Sequence, residues 1–454
     1  MSATARRSLA VAVVVVAAVL SAVAPAAASS ARPADDPRRG VVYESLDPAS
    51  PTGACAGLFE VTVDGRTLCT HGPDPAPDGV DVRQRRPPAR AATPSEGASP
   101  FLCSGNGTDG YRVQVIYARA ADVPDRFDSY KASFEAWTAR VDQLVNASAA
   151  ETGGVRRVRF VTDPACRLVI DRVVLTAAGD DTFDGTVRDL WAKGYTRSDR
   201  RYLVYVDANV YCGLGSLLND DRASAVPGVN LNNGNPNVTG TIARIDNGCW
   251  GLTDSAEAHE VMHTLGGVQP SAPHATPAYH CADDHDRMCG DDGTGVPVLL
   301  RCSATHEVLF DCNHDDYFST NPIPGSYLAT HWNVANSVFL APTATPAAPS
   351  LTWGFNGYGQ LGDGTGAGLG ANLAIPVTVG LLGADAVAAG GFHSLGVVDG
   401  QVWTWGLGHL GQLARPWPAS ASSPGLVPGL TGVVAVSAGV FHSLALKSDG
   451  TVWA

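Results

Sequence analysis

His259-Glu260-Val261-Met262-His263-Thr264-Leu265-Gly266 is the stretch from which the fold of this chain is read. Residues four apart share one face of a helix, so His259 and His263 project side by side. Two imidazoles at that spacing hold one zinc ion. Glu260, one residue after the first histidine, is positioned as general base toward a water that the metal activates. Zinc is therefore the expected cofactor, with His259 and His263 as metal ligands, Glu260 as the catalytic residue, and hydrolysis as the chemistry.

The flanking sequence supports a helix here. Asp254 stands three residues before Glu257, a capping-box spacing, and Gly266-Gly267 gives the stop. Further upstream, Tyr111–Tyr117 alternates like a strand. Phe127, Tyr130, Phe134, Trp137, Val141 and Leu144 then recur at helical spacing, the buried stripe of a long amphipathic helix. Val155–Val161 and Leu168–Leu175 read as strands, Phe183–Lys193 as a second helix, and Tyr202–Val206 as a short strand of the fully buried kind. Thr241–Asn247 is expected to be an edge strand that pairs with an extended peptide. Tyr327, Leu328, Trp332, Val334, Ala335 and Phe339 predict a closing helix.

The 454 residues allow two or three domains. A formal charge of -13 argues against nucleic acid and anionic membranes as partners. Residues 1–28 read as a signal peptide: Arg6-Arg7, an apolar run from Leu9 to Val23, then Ala26-Ala27-Ala28. The protein is thus expected to be secreted and extracellular, with no membrane association after signal cleavage. All ten cysteines lie between Cys55 and Cys312, which predicts disulfides, with Cys55–Cys69, Cys103–Cys166 and Cys212–Cys249 as the early pairs. Cys69 is read as a bridge partner rather than as a thiol masking the metal. Residues 29–100, rich in Pro and Arg, read as a pro-segment and linker, with Arg85-Arg86 as a processing point. Residues 341–350 form a second, Ala/Pro/Thr-rich linker.

Residues 259–266, with Met288 downstream, resemble the metzincin zinc peptidases, whose pattern continues H-E-x-x-H-x-x-G-x-x-H to a tight turn carrying Met. The resemblance covers roughly residues 101–340. It implies an α/β zincin-like catalytic domain, a mixed twisted sheet with an active-site helix, and a protein or peptide substrate. The chain departs from the pattern where Gln269 occupies the third ligand position. In the matrix metalloproteinase branch the third histidine stands eight residues before the turn Met, which implies His280 here. His274, His285, Gln269 or a carboxylate are the alternatives. Asp283, Asp284 and Asp286 are candidates for orienting the metal-bound histidines. Asp311, Asn313, Asp315 and Asp316 form an acidic loop with the oxygen donors calcium prefers, making calcium a second candidate ion.

Beyond residue 350 the chain repeats. Trp353-Gly354 recurs as Trp405-Gly406 and Gly359-Gln360-Leu361 as Gly411-Gln412-Leu413, each 52 residues on. Phe392-His393-Ser394-Leu395 recurs as Phe441-His442-Ser443-Leu444 after 49. This period resembles the regulator of chromosome condensation repeat, a propeller blade. Closure takes roughly four to eight blades, so residues 351–454 are expected to form an incomplete all-β propeller module that binds an unknown partner. Two rival readings stand beside the zinc endopeptidase: a catalytically inactive zincin-like module serving adhesion together with the repeats, and a zinc hydrolase of a non-peptide amide.

Overall fold

The computed structural model describes residues 32–50, 52–88, 100–224, 226–252, 255–290, 292–342, 349–365, 372–382, 384–398, 400–416 and 420–454. The signal-peptide residues 1–28, the capping candidate Asp254, and residues 343–348 of the second linker lie outside them.

In chain order the first module contains β1 (Asp47–Pro48), β2 (Phe59–Val63), β3 (Arg66–Thr70), β4 (Arg112–Ala120), α1 (Phe127–Glu151), β5 (Arg157–Val158), β6 (Ile170–Leu175), α2 (Phe183–Ala192), β7 (Arg200–Val206), β8 (Gly213–Leu217), β9 (Ile242–Asp246), α3 (Ala256–Thr264), α4 (Tyr327–Thr330) and β10 (Leu340–Ala341). Eight strands form one mixed sheet in the order β1-β2-β3-β8-β9-β7-β4-β6. β6, β4, β7 and β9 run parallel, whereas β8 is antiparallel to β9 and β3 antiparallel to β8.

Alternation along the strands divides the core between two faces. Val113, Val115 and Tyr117 of β4, Leu203 and Tyr205 of β7, and Ala243 and Ile245 of β9 face α1 and α3. Ile116 and Ala118, Tyr202, Val204 and Val206, and Ile242 face α2. The α1 stripe read from sequence is buried except for Trp137, which is half-buried, with Phe134 at its centre against Tyr205 and Trp250. Removing that ring costs about 3–5 kcal/mol. On the other face, buried Arg244 pairs with Asp246 at 2.7 Å and donates to Thr186 of α2, so neither charge lacks partners. Asp246 also accepts from the backbone N–H groups of Val210 and Tyr211, which fixes the entry into β8.

Four sequence expectations need correction. Ile242–Asp246 is not an edge strand: β9 lies inside the sheet, every residue buried, because β8 covers its free side. β8, with the sequence Gly-Leu-Gly-Ser-Leu, lacks an alternating pattern and escaped the reading. The cap of α3 is Ser255, whose side chain accepts from Ala258 N–H, while Glu257 instead accepts from Gly251 N–H. The expected closing helix is only the one-turn α4 followed by a 3₁₀ turn at Val334–Asn336; Trp332, Val334 and Phe339 are buried as expected, but on irregular backbone held by Asn333 capping Ala335. Finally, residues 47–70 are not featureless linker. They add three strands to the sheet, with Val61, Val63 and Leu68 in the α2-side core.

Five disulfides join Cys55–Cys69, Cys103–Cys166, Cys212–Cys249, Cys281–Cys289 and Cys302–Cys312, including all three expected pairs. β10 pairs back onto β5 and closes the module. The repeat module is all β among its described residues. β11 (Pro349–Phe355) pairs with β12 (Asn372–Leu382). β13 (Ala386–Ala389), β14 (His393–Val398), β15 (Gln401–Leu407) and β16 (Ser420–Leu426) form a four-stranded antiparallel blade. β17 (Val433–Ala438), β18 (Ser443–Lys447) and β19 (Val452–Trp453) form a three-stranded one. No helix among the described residues is long and apolar enough to cross a membrane.

Candidate metal centre

α3 carries His259 and His263 one turn apart, and their Nε2 atoms stand 3.0 Å from each other. His280 arrives from the loop after α3, its Nε2 3.2 Å from that of His259 and 3.3 Å from that of His263. Three ring nitrogens in a triangle of this size cannot all be satisfied by sharing protons, since each proton serves one contact. A tetrahedral zinc with Zn–N bonds of about 2.0–2.1 Å sets its ligand nitrogens about 3.3 Å apart, so the three imidazoles fit that ion.

The loop that carries His280 is fixed covalently. The Cys281–Cys289 disulfide joins the residue after His280 to the residue after Met288. Cys281 N–H donates to the Met288 carbonyl, and Met288 is fully buried in the α3-side core. One residue earlier, the Arg287 carbonyl accepts from His259 Nδ1 at 2.8 Å, which leaves Nε2 of that ring with its lone pair facing the other two imidazoles. The Met288 turn thus touches both ends of the centre. His280 Nδ1 has Asp292 at 3.8 Å.

Glu260 is buried, and neither carboxylate oxygen has a hydrogen-bond partner among the described residues. It lies between α3 and β8, where a Cβ on Gly213 would come within 2.1 Å of Oε1 and one on Gly215 within 2.6 Å of Oε2. The two glycines of β8 are the space Glu260 occupies. Burial, followed by the neighbouring Asp74 carboxylate, holds the Glu260 carboxyl well above its ordinary value. Burial also pushes His263 well down. At His280 burial acts downward, but the adjacent Asp74 outweighs it and the net shift is upward.

The other candidates lie elsewhere. Gln269 is held by backbone at both ends, donating to Leu218 and Gly266 carbonyls and accepting from Asp220 N–H. His285 pairs with Glu307 at 2.6 Å. His274 pairs with Asp316 at 3.0 Å and Asp283 at 3.4 Å. Asp286 accepts from Met288 N–H, Cys312 N–H and the Tyr317 hydroxyl, shaping the Met288 turn. Asp283 pairs with Arg301 and Asn313, and Asp284 accepts from His285 N–H. In the acidic loop, Asp311 accepts from the amides of Asp315, Asp316, Tyr317 and Phe318. The donor group His274, Asp283, Asp315 and Asp316 includes an imidazole nitrogen, unlike the all-oxygen cage calcium prefers.

Two residues that reach the centre were missed. Asp74 sets Oδ2 3.0 Å from His259 Nε2 and Oδ1 3.3 Å from His280 Nε2. His71 stacks 4.1 Å from the His263 ring, with Nε2 3.7 Å from the Glu260 carboxylate. Burial pushes the His71 imidazole down to about 3. Their sequence signal was slight: an Asp between Pro73 and Pro75, almost two hundred residues before α3. A cavity of about 160 Å³ beside them is lined by Asp74, Gly213, His259, Glu260, His280 and Arg287, among others.

Comparison with known proteins bears on the other module. No curated protein matches the chain. Among solved structures, human WBSCR16 is 24% identical over 22% of this chain and 32% of its own, with a TM-score of 0.20. Prp20p from Saccharomyces cerevisiae, described with its binding properties to Gsp1p and histones, is 23% identical over 23% and 29%, with a TM-score of 0.20. Yeast RCC1 (Prp20) bound to Kap60 is 22% identical over 27% and 31%, again with a TM-score of 0.20. The chain therefore spans about a third of the length of these proteins. Residues 351–397 and 399–446 each match the regulator of chromosome condensation (RCC1) repeat, so the C-terminal module is built of RCC1 repeats.

Proposed function

We propose that residues 101–340 form a secreted zinc-dependent endopeptidase of metzincin type, with His259, His263 and His280 as metal ligands and Glu260 as general base. The observation that carries this reading is the convergence of three Nε2 atoms within 3.0–3.3 Å beside a buried carboxylate that has no hydrogen-bond partner among the described residues. When bound, zinc polarises the scissile carbonyl and lowers the pKa of water toward about 7. Glu260 accepts the proton of the attacking water and delivers it to the departing amine nitrogen. His259 is kept in the ligand tautomer by the Arg287 carbonyl. The edge of β8 that faces away from β9 and carries β3 and Asp74 here, adjacent to Glu260, is the edge along which an extended peptide substrate would pair once that segment gives way.

An inactive zincin-like module has no use for Glu260. A buried carboxylate without a partner is costly, and two glycines of β8 are committed to accommodating it. The RCC1 repeats are assigned the binding of a protein partner. Their exposed apolar side chains include Trp353, Leu410, Phe441 and Trp453.

Metal analysis and hydrolysis of an unfolded protein test the proposal. The purified chain is expected to hold one zinc, and His263→Ala to lose it. Hydrolysis, measured with Asp74 intact and as Asp74→Ala, is expected to vanish with a chelator. One bound zinc with no peptide cleavage in either form would overturn the peptidase reading.

A further inference from the structure

We propose that Asp292 is a positioning residue of the metal centre, its carboxylate accepting the Nδ1 proton of His280 when Nε2 of that ring holds the ion. The inference rests on the zinc centre of the reading above and is independent of what that centre cleaves. Asp292 lies beyond Asp283, Asp284 and Asp286, the carboxylates that spacing suggested for this role.

A neutral imidazole that gives one nitrogen to a metal carries its proton on the other, and a buried N–H needs an acceptor. For His259 that acceptor is the Arg287 carbonyl, 2.8 Å from Nδ1. His280 Nδ1 is shielded from solvent and has no hydrogen-bond partner among the described residues. The carboxylate oxygen beside it is Asp292 Oδ2, 3.8 Å away. A charge-assisted N–H···O bond spans about 2.7–2.9 Å, so the pair stands about 1 Å short of one. The Asp292 side chain is only 9% exposed, and among the described residues it has no Arg or Lys as an ion-pair partner. An unpaired proton donor thus faces a buried carboxylate with no other cation.

Thr276 ties the two together. Its hydroxyl donates to Asp292 Oδ2 and accepts from the His280 backbone N–H at 3.3 Å. Its own N–H donates to the His280 carbonyl at 2.7 Å. Asp292 Oδ1 is held in turn by Thr294, accepting from its N–H at 3.0 Å and its hydroxyl at 2.6 Å. The Cys281–Cys289 disulfide begins one residue after His280 and ends three residues before Asp292, so it keeps both on one closed loop. Asp292 also lines the cavity shared with His259, Glu260 and His280. A carboxylate behind a ligand imidazole fixes its tautomer and raises its basicity, which strengthens its bond to the metal. The carbonyl behind His259 is neutral, so the charge of Asp292 acts on the His280 ring.

The test compares the full chain with Asp292→Ala and the near-isosteric Asp292→Asn. The readouts are zinc affinity, by competition with a chromogenic chelator, and proton NMR of the cobalt(II)-loaded chain, where the N–H of each ligand imidazole gives its own paramagnetically shifted signal. Asp292→Ala is expected to weaken zinc binding by about 10–100-fold and to move one N–H signal or lose it to exchange with water. Asp292→Asn keeps an oxygen acceptor but not the charge; it is expected to retain that signal with an intermediate affinity. Unchanged affinity and unchanged N–H signals in Asp292→Ala overturn the inference and leave the zinc centre standing. Weaker binding with every N–H signal in place also overturns it, because Asp292 then only braces the loop. Failure of the unmodified chain to bind zinc or cobalt overturns both this inference and the peptidase reading.

Discussion

Glu260 is where chemistry and structure make opposite demands: a carboxylate buried beside three imidazoles with no hydrogen-bond partner among the described residues. Glu260→Gln is expected to retain the zinc and lower kcat by about 100-fold to 10,000-fold, the range for removing a general base; measuring kcat beside zinc content checks it. Another buried carboxylate gives a pH prediction remote from the metal. Burial raises Asp180 to about 6 in the folded chain, above its unfolded value of about 3.9. Between these values the folded state binds more protons than the unfolded one, so this group's contribution to stability falls as pH rises from about 4 to about 6. Asp180→Asn is expected to be near neutral at pH 4 and stabilising by about 1 kcal/mol at pH 8 after allowance for solvent screening; denaturant melts at the two pH values decide it. At this scale His259 and His263 were legible because helical spacing alone brings them together, and Glu260 by its place directly after the first histidine of the motif. His280 needed the offset to Met288. Asp74 and His71 were not legible: their route to the centre runs through β3–β8 pairing, which no local spacing encodes.

Two elements govern how the site is held, and both lack a strong local pattern. β8 is short, glycine-rich and fully buried, so neither alternation nor β-propensity marks it. Its glycines answer to Glu260. Gly213→Ala would thrust a methyl within 2.1 Å of Oε1. Moving the end of Glu260 relieves the clash, so the expected result is a near-native melting curve with roughly 100-fold lower kcat, the cost of misplacing a reacting group by about an ångström. A large stability loss with normal kcat would count against this role for β8. The second element is the loop from His280 to Met288. Cysteine count predicted its bridging, yet not that Cys281–Cys289 would join the residue after His280 to the residue after Met288. Replacing both cysteines by serine is expected to weaken zinc binding by about 10–100-fold, the usual cost of losing support around a ligand; competition with a chromogenic chelator measures it. By contrast α1, α2, β4 and β7 were legible in type, because their apolar periodicity coincides with the faces they bury, although α1 runs on to Glu151, β4 to Ala120 and β7 begins at Arg200.

For the whole molecule, the two modules rest on different kinds of regularity. The RCC1 repeats are stabilised by contacts between successive units: Trp405 Nε1 donates to the Gln360 carbonyl, and His393 and Ser443 meet at 2.9 Å. Their 49- and 52-residue periods made them plain in sequence. Trp405→Ala is expected to cost about 3–5 kcal/mol in unfolding of the repeats while zinc content stays at one per chain; calorimetry with metal analysis tests that independence. In the first module, the hairpin of β2 and β3 escaped detection because Pro- and Arg-rich flanks hid it, although it extends the main sheet. The most direct measurement is zinc-dependent hydrolysis of an unfolded protein by the full chain bearing Asp74→Ala, beside the same chain with Glu260→Ala added. Cleavage in the first that disappears in the second, with one zinc bound to both, is the expected result. One zinc bound to both and cleavage in neither would contradict the assignment of a peptidase centre to His259, His263, His280 and Glu260.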